Sequence, residues 1–120
     1  MQYRGTVQRG AQRGESVGFP TANISLTDES VSGIYIARVS IGGRTYEAAV
    51  YADTRRQLLE THLLDFSGGD LYGQEIEIEI LEKIREDKRF ESEEKLREAI
   101  AQDIQDVRNF FQLWTDSSKQ

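Results

Sequence analysis

Gln74-Glu75-Ile76-Glu77-Ile78-Glu79-Ile80-Leu81-Glu82-Lys83-Ile84 is the stretch that sets the fold class. Its acids and isoleucines alternate with a period of two. Side chains alternate across an extended strand, so Glu75, Glu77 and Glu79 share one face and Ile76, Ile78 and Ile80 share the other. A strand with one wet face and one buried face belongs to an antiparallel sheet. Earlier in the chain, Gly33 to Ile41 (GIYIARVSI) is rich in β-branched and aromatic residues and is a second strand. Gly42-Gly43 turns it into Arg44 to Ala52, a hairpin by its spacing. Leu58 to Phe66 is a further strand, and Ser67-Gly68-Gly69-Asp70 turns it towards the Gln74 strand. Tyr3 to Gln8 and Ala22 to Leu26 are shorter ones. Five or six short antiparallel strands predict a small closed or nearly closed barrel, which hides its edges.

After Ser92 the period changes. Leu96, Ile100, Ile104, Val107, Phe111 and Trp114 recur at steps of three and four, the stripe of one amphipathic helix. Ser92 is its predicted N-cap, and Glu93 and Glu94 complement the helix dipole in the first turn. The stripe must pack on a barrel face or mouth. One domain over residues 1–115 is expected, with residues 116–120 as a polar tail.

Composition narrows the function classes. The chain has 120 residues, a net charge of -6 and a single His, with no Cys. No disulfide, thiolate site, cysteine nucleophile or multi-histidine metal centre can be built from it. An acidic chain is a poor match for a phosphate backbone, so nucleic acid is not an expected partner. No apolar run approaches the roughly 20 residues that span a bilayer, and the N-terminus does not resemble a signal peptide. The expected location is cytoplasmic.

The segment from Arg9 to Ile24, RGAQRGESVGFPTANI, is the chemically informative one. Gly10, Gly14 and Gly18 let backbone N–H groups approach an anion closely. Pro20 fixes one backbone angle ahead of Thr21-Ala22-Asn23. Thr21 and Asn23 point to the same side of an extended chain. A hydroxyl and an amide oxygen there suit hydrated Mg²⁺ and phosphate oxygens. Glycine-rich segments in β-proteins are also commonly plain turns. No Gly-Lys-Ser/Thr follows, so this is not a P-loop.

In Glu60-Thr61-His62-Leu63-Leu64-Asp65-Phe66, a strand puts Glu60, His62, Leu64 and Phe66 on one face. Glu60 stands among leucines. Facing a cleft, it would be desolvated into a stronger base; at a barrel rim it would be solvated or paired with an Arg. His62 reads as a hydrogen-bonded structural residue.

At these residues the chain resembles the ATP-dependent riboflavin kinases, including the kinase half of bacterial bifunctional FAD synthetases. Gly18 to Ile24 (GFPTANI) resembles the family's hallmark. Gly5-Thr6-Val7, Ser32-Gly33-Ile34-Tyr35, Glu60 to Phe66 with Asp70-Leu71-Tyr72-Gly73, and Ile84-Arg85-Glu86 with Lys88-Arg89-Phe90 follow in the family's order. The resemblance implies a six-stranded antiparallel Greek-key β-barrel with one C-terminal helix. It implies transfer of the γ-phosphoryl group of ATP to the 5′-hydroxyl of riboflavin, giving FMN. ATP and Mg²⁺ would bind Gly10, Gly14, Gly18, Pro20, Thr21 and Asn23, with Thr21 and Asn23 the metal ligands. Glu60 would accept the hydroxyl proton. The flavin ring would sit against apolar side chains between barrel and helix, where Phe66, Phe110, Phe111 and Trp114 are candidates by location only; ordinary core packing is the commoner role for at least half of them. A monomer without adenylyltransferase activity is expected. One departure is visible. Ala49 to Arg56 lacks the glycine and the proline of the family's Asn-Ile-Gly and Pro-Thr, and the loop looks shorter. Arg55 and Arg56 there could face phosphates or form a solvated turn. A barrel that binds flavin or nucleotide without efficient catalysis is the alternative. A kinase for a sugar or nucleoside is a third reading.

Overall fold

The computed structural model describes residues 1–8 and 21–118, and side chains as far as residue 113. Along the chain run β1 (Gln2–Thr6), β2 (Thr21–Ser25), β3 (Gly33–Ile41), β4 (Arg44–Asp53), β5 (Leu58–Leu63), β6 (Glu75–Arg85) and α1 (Glu93–Ser118). All pairings are antiparallel, in the order β1-β6-β3-β4-β5-β2. The hairpin-linked strands β3, β4 and β5 are followed by β6, which returns to lie beside β3. That is a Greek key.

The alternation read from β6 is realised. Ile76, Ile78 and Ile80 are buried, while Glu75, Glu77 and Glu79 stay partly or fully exposed. The three isoleucines join Val39, Val50, Leu59 and Leu63 in the barrel interior. Each such side chain contributes about 1.5–3 kcal/mol by leaving water. A second cluster lies on the outside of the barrel. There Ile100, Ile104, Val107 and Phe111 of α1 cover Ile36, Ala49 and Leu64. Ser92 caps the helix, its Oγ accepting from the Lys95 N–H at 3.2 Å.

Boundaries differ from expectation by more than one residue at three places. Strand β1 ends at Thr6 because the next residues change partners. The Val7 N–H donates to the Gln74 carbonyl and the Gln8 N–H to the Asn23 carbonyl, both at 2.8 Å. This crossing, through the Gln8–Asn23 bridge, draws β1 towards β2 and leaves the barrel nearly closed. Strand β5 stops at Leu63, since Asp65 has a φ of 56°, a left-handed conformation no strand continues through. Helix α1 runs on to Ser118, so the expected tail from Asp116 starts inside the helix.

One end of the barrel is tied by Tyr3, whose hydroxyl donates to Asp28 Oδ2 at 2.8 Å. Burial, that hydrogen bond and the Asp28 charge push the Tyr3 pKa up from 10 to about 12. The folded protein holds this proton more tightly than the unfolded chain. The contribution of Tyr3 is therefore full below pH 10 and lost as pH climbs through 10 towards 12. The stability difference between wild type and Tyr3→Phe, followed by urea denaturation, should shrink across that window. A gap that stays constant would show that the tie does not depend on the tyrosine proton.

Candidate active site

The register of two strand pairs assembles the site. On β2 and β5, Thr21 lies opposite His62 and Asn23 opposite Glu60. On β4 and β5, Tyr51 lies opposite Glu60 and Ala49 opposite His62. Directly opposed residues share a sheet face. The intervening Ala22, Ile24, Leu59 and Leu63 belong to the barrel interior. Thr21, Asn23, Glu60 and His62 therefore project together from the outer face, the one α1 covers. The threonine, the asparagine and the glutamate picked out by their sequence motifs converge.

Glu60 is 2% exposed, Asn23 1% and His62 7%. His62 Nε2 lies 2.9 Å from Glu60 Oε1. Thr21 Oγ1 and Asn23 Oδ1 are buried and have no hydrogen-bond partner among the described residues. A buried oxygen left unpaired costs about 1–3 kcal/mol, and two of them side by side beside a carboxylate are the mark of a ligand site. Thr61 Oγ1 is also unpaired but faces the interior. Among the described residues no three His, Cys, Asp or Glu side chains form a metal cluster. The paired hydroxyl and amide oxygens fit instead a hard cation that keeps most of its water and takes phosphate oxygens, as Mg²⁺ does.

A cavity of about 20 Å³ adjoins the carboxylate, lined among others by Tyr51, Glu60, His62, Arg85, Ile100 and Asp103. It has room for about one water-sized group. Its wall is held by a bidentate pair, Arg85 Nε to Asp103 Oδ1 at 2.9 Å and Nη2 to Oδ2 at 2.8 Å. The hydrogen bond to Asp103 raises the guanidinium pKa further, so Arg85 stays charged. Tyr51 also borders a much larger cleft of about 860 Å³, open to solvent between the β4–β5 turn and the start of α1. Arg55, Arg56, Lys88, Arg89 and Phe90 line it, with Asp53, Asp87 and Glu91 among them. The Tyr51 hydroxyl donates to Asp87 at its edge.

Other expected site residues fall elsewhere. Phe66 packs edge-on against Tyr46, with ring centroids 5.2 Å apart. Phe111 packs against Phe110 and under the Arg38 guanidinium in the helix–barrel cluster. Neither lines the cavity or the cleft. Gly10, Gly14, Gly18, Pro20 and the Trp114 side chain lie outside the described residues. The sequence reading gave no site role to Tyr51, Arg85 or Asp103. Asp103 did carry a signal: it is an acid three residues from Ile100 on the helix face that packs inward, and it is 4% exposed.

A family model described as riboflavin kinase matches residues 1–111. The chain belongs to the riboflavin kinase family. The bifunctional riboflavin kinase/FMN adenylyltransferase of Escherichia coli K12 is 38% identical over 118 residues, covering 91% of this chain and 37% of the relative. The RNA-binding riboflavin kinase RibR of Bacillus subtilis is 35% identical over 91% of this chain and 50% of the relative. The chain thus spans half or less of these curated relatives. The crystal structure of riboflavin kinase from Trypanosoma brucei superposes with a TM-score of 0.67 at 29% identity, over 92% of this chain and 79% of that one. The riboflavin kinase barrel, nearly closed and with one C-terminal helix, is the fold found here. Among the described residues no helix is long and apolar enough to cross a membrane.

Proposed function

We propose that the chain is a riboflavin kinase, moving the γ-phosphoryl group of ATP to the 5′-hydroxyl of riboflavin to give FMN and ADP. The observation that supports this most directly is the juxtaposition of Glu60 with the unpaired oxygens of Thr21 and Asn23 on one buried face. Glu60 accepts the proton of the alcohol. The alcohol oxygen forms its bond to the γ-phosphorus as the bond to the β–γ bridging oxygen breaks, and ADP leaves. Phosphoryl transfer asks mainly for positioning and charge neutralisation. Thr21 Oγ1 and Asn23 Oδ1 would hold Mg²⁺, which neutralises phosphate charge when bound; Gly10, Gly14, Gly18 and Pro20 would line the triphosphate. The small cavity beside Glu60 admits a hydroxyl but leaves no space for a second water to compete for the phosphorus.

The isoalloxazine ring is too large for that cavity. The cleft that shares Tyr51 with it is large enough, and Tyr51 and Phe90 border it, with Arg85 and Lys88 set over the Phe90 ring at 5.6 and 5.4 Å. With the ring in the cleft, Phe66 and Phe111 act in barrel and helix packing. A monomer in the cytoplasm, with no nucleic-acid partner, completes the reading; net charge supports the last point.

Purified protein incubated with riboflavin, ATP and Mg²⁺ should form FMN, separable by chromatography. Folded protein that forms none would overturn the assignment. Flavin binding with fluorescence quenching but no product would favour the binding-module reading, which the departure at Ala49 to Arg56 keeps open.

A further inference from the structure

The geometry points to His62 as a positioning residue for the base: its imidazole fixes the Glu60 carboxylate in the orientation needed to take the alcohol proton. The inference rests on the kinase reading above. It starts from strand geometry. Residues two apart on β5 share a face, so His62 and Glu60 stand side by side on the outside of the barrel. With Glu60 ionised, as the base role requires, it can only accept, and the 2.9 Å contact is then His62 Nε2–H donating to Glu60 Oε1. A glutamate side chain has three torsions, and a misplaced base loses rate steeply. With Oε1 held by the imidazole, one end of the carboxyl group is anchored.

The surroundings exclude a simpler explanation by solvent or surface pairing. His62 is 7% exposed and lines the same cavity as Glu60. Its cross-strand neighbour on β2 is Thr21, whose hydroxyl is unpaired. His62 therefore sits between the base and the oxygen proposed to face the nucleotide. A packing-only residue at this place would need volume but no donor. Ala49, its neighbour on β4, shows that apolar side chains are accommodated beside it.

The test separates the donor from the volume. His62→Leu keeps bulk and removes the N–H; His62→Gln places an amide N–H at a comparable reach. We expect His62→Leu to lower kcat by about 10- to 100-fold, as losing an oriented hydrogen bond to a reacting group does. KM for riboflavin and ATP should stay near wild type, and His62→Gln should recover most of the rate. In a Glu60→Gln background the leucine change should have almost no further effect, because His62 acts through Glu60. Should the leucine variant fail to fold by circular dichroism, His62→Asn, polar but too short to reach Oε1, takes its place with the same expectation. Wild-type rates in the leucine or asparagine variant, equal losses in the glutamine variant, or a full additional loss in the Glu60→Gln background would overturn the inference. If wild type itself makes no FMN, the kinase reading fails. A wild type that turns over while the His62 variants match it sinks this inference alone.

Discussion

Glu60→Gln lowers kcat for FMN formation by roughly 10²–10⁴-fold, the range for removing a general base, and leaves riboflavin affinity little changed. The substitution keeps volume and shape, so the β2–β5 register and the packing under α1 persist. It also keeps one oxygen that can accept from His62. With that oxygen turned towards the imidazole, the amide NH₂ occupies the place of the other carboxylate oxygen. A donor then faces the alcohol, which has a proton to lose. Binding and chemistry separate cleanly for this reason. Steady-state kinetics alongside flavin fluorescence titration reads both. A kcat equal to wild type, in a folded variant, would take Glu60 out of the base role.

Gly33→Ala is the substitution expected to harm stability most for its size. Gly33 opens β3 with a φ of +97°, where L side chains are strained. A Cβ added there would lie 2.6 Å from the Arg85 carbonyl oxygen and 2.9 Å from Lys83 Cε. The lysine can swing away, but the carbonyl belongs to the β3–β6 ladder, in which Ile34 pairs with Arg85. Relief requires the two strands to separate at the site wall. Strain and overpacking together put the loss at about 3 kcal/mol, a fall in Tm of roughly 10–20 °C for a domain of this size. Because Arg85 lines the cavity at Glu60, turnover below the new Tm should fall as well. A variant melting within a few degrees of wild type would show that the strands yield more easily than a packed ladder should.

Much of this was legible in the sequence because it is local. The acid–isoleucine alternation of β6, the Gly42-Gly43 hairpin and the Ser92 cap are each set by neighbouring residues, and each appears where expected. The meeting of Asn23 with Glu60 was legible only through family resemblance, since pairing β2 with β5 depends on barrel closure. The strand ends were misread where the cause is tertiary. Nothing in Leu63-Leu64-Asp65-Phe66 announces a left-handed Asp65, which is joined to Arg108 of α1 by two hydrogen bonds of 3.1 Å. The aromatic candidates were picked by their expected place between barrel and helix alone. Phe66 and Phe111 are spoken for by Tyr46 and Phe110, whereas Phe90, on the segment between β6 and α1, borders the cleft.

The pairing of β1 with β6 has a consequence for the order in which a nascent chain can become competent. Synthesis delivers β1 to β5 before β6, so the ladder that sets Asn23 against Glu60 can form while β1 and β3 both still lack β6 as a neighbour. Arg85, Ile100 and Asp103, which wall the cavity, leave the ribosome later. Until they arrive, the carboxylate and its imidazole stand open to bulk water on an unfinished sheet. Non-local pairings of this kind form slowly. The interval between making the base and sheltering it is therefore when the chain most needs protection from misassembly.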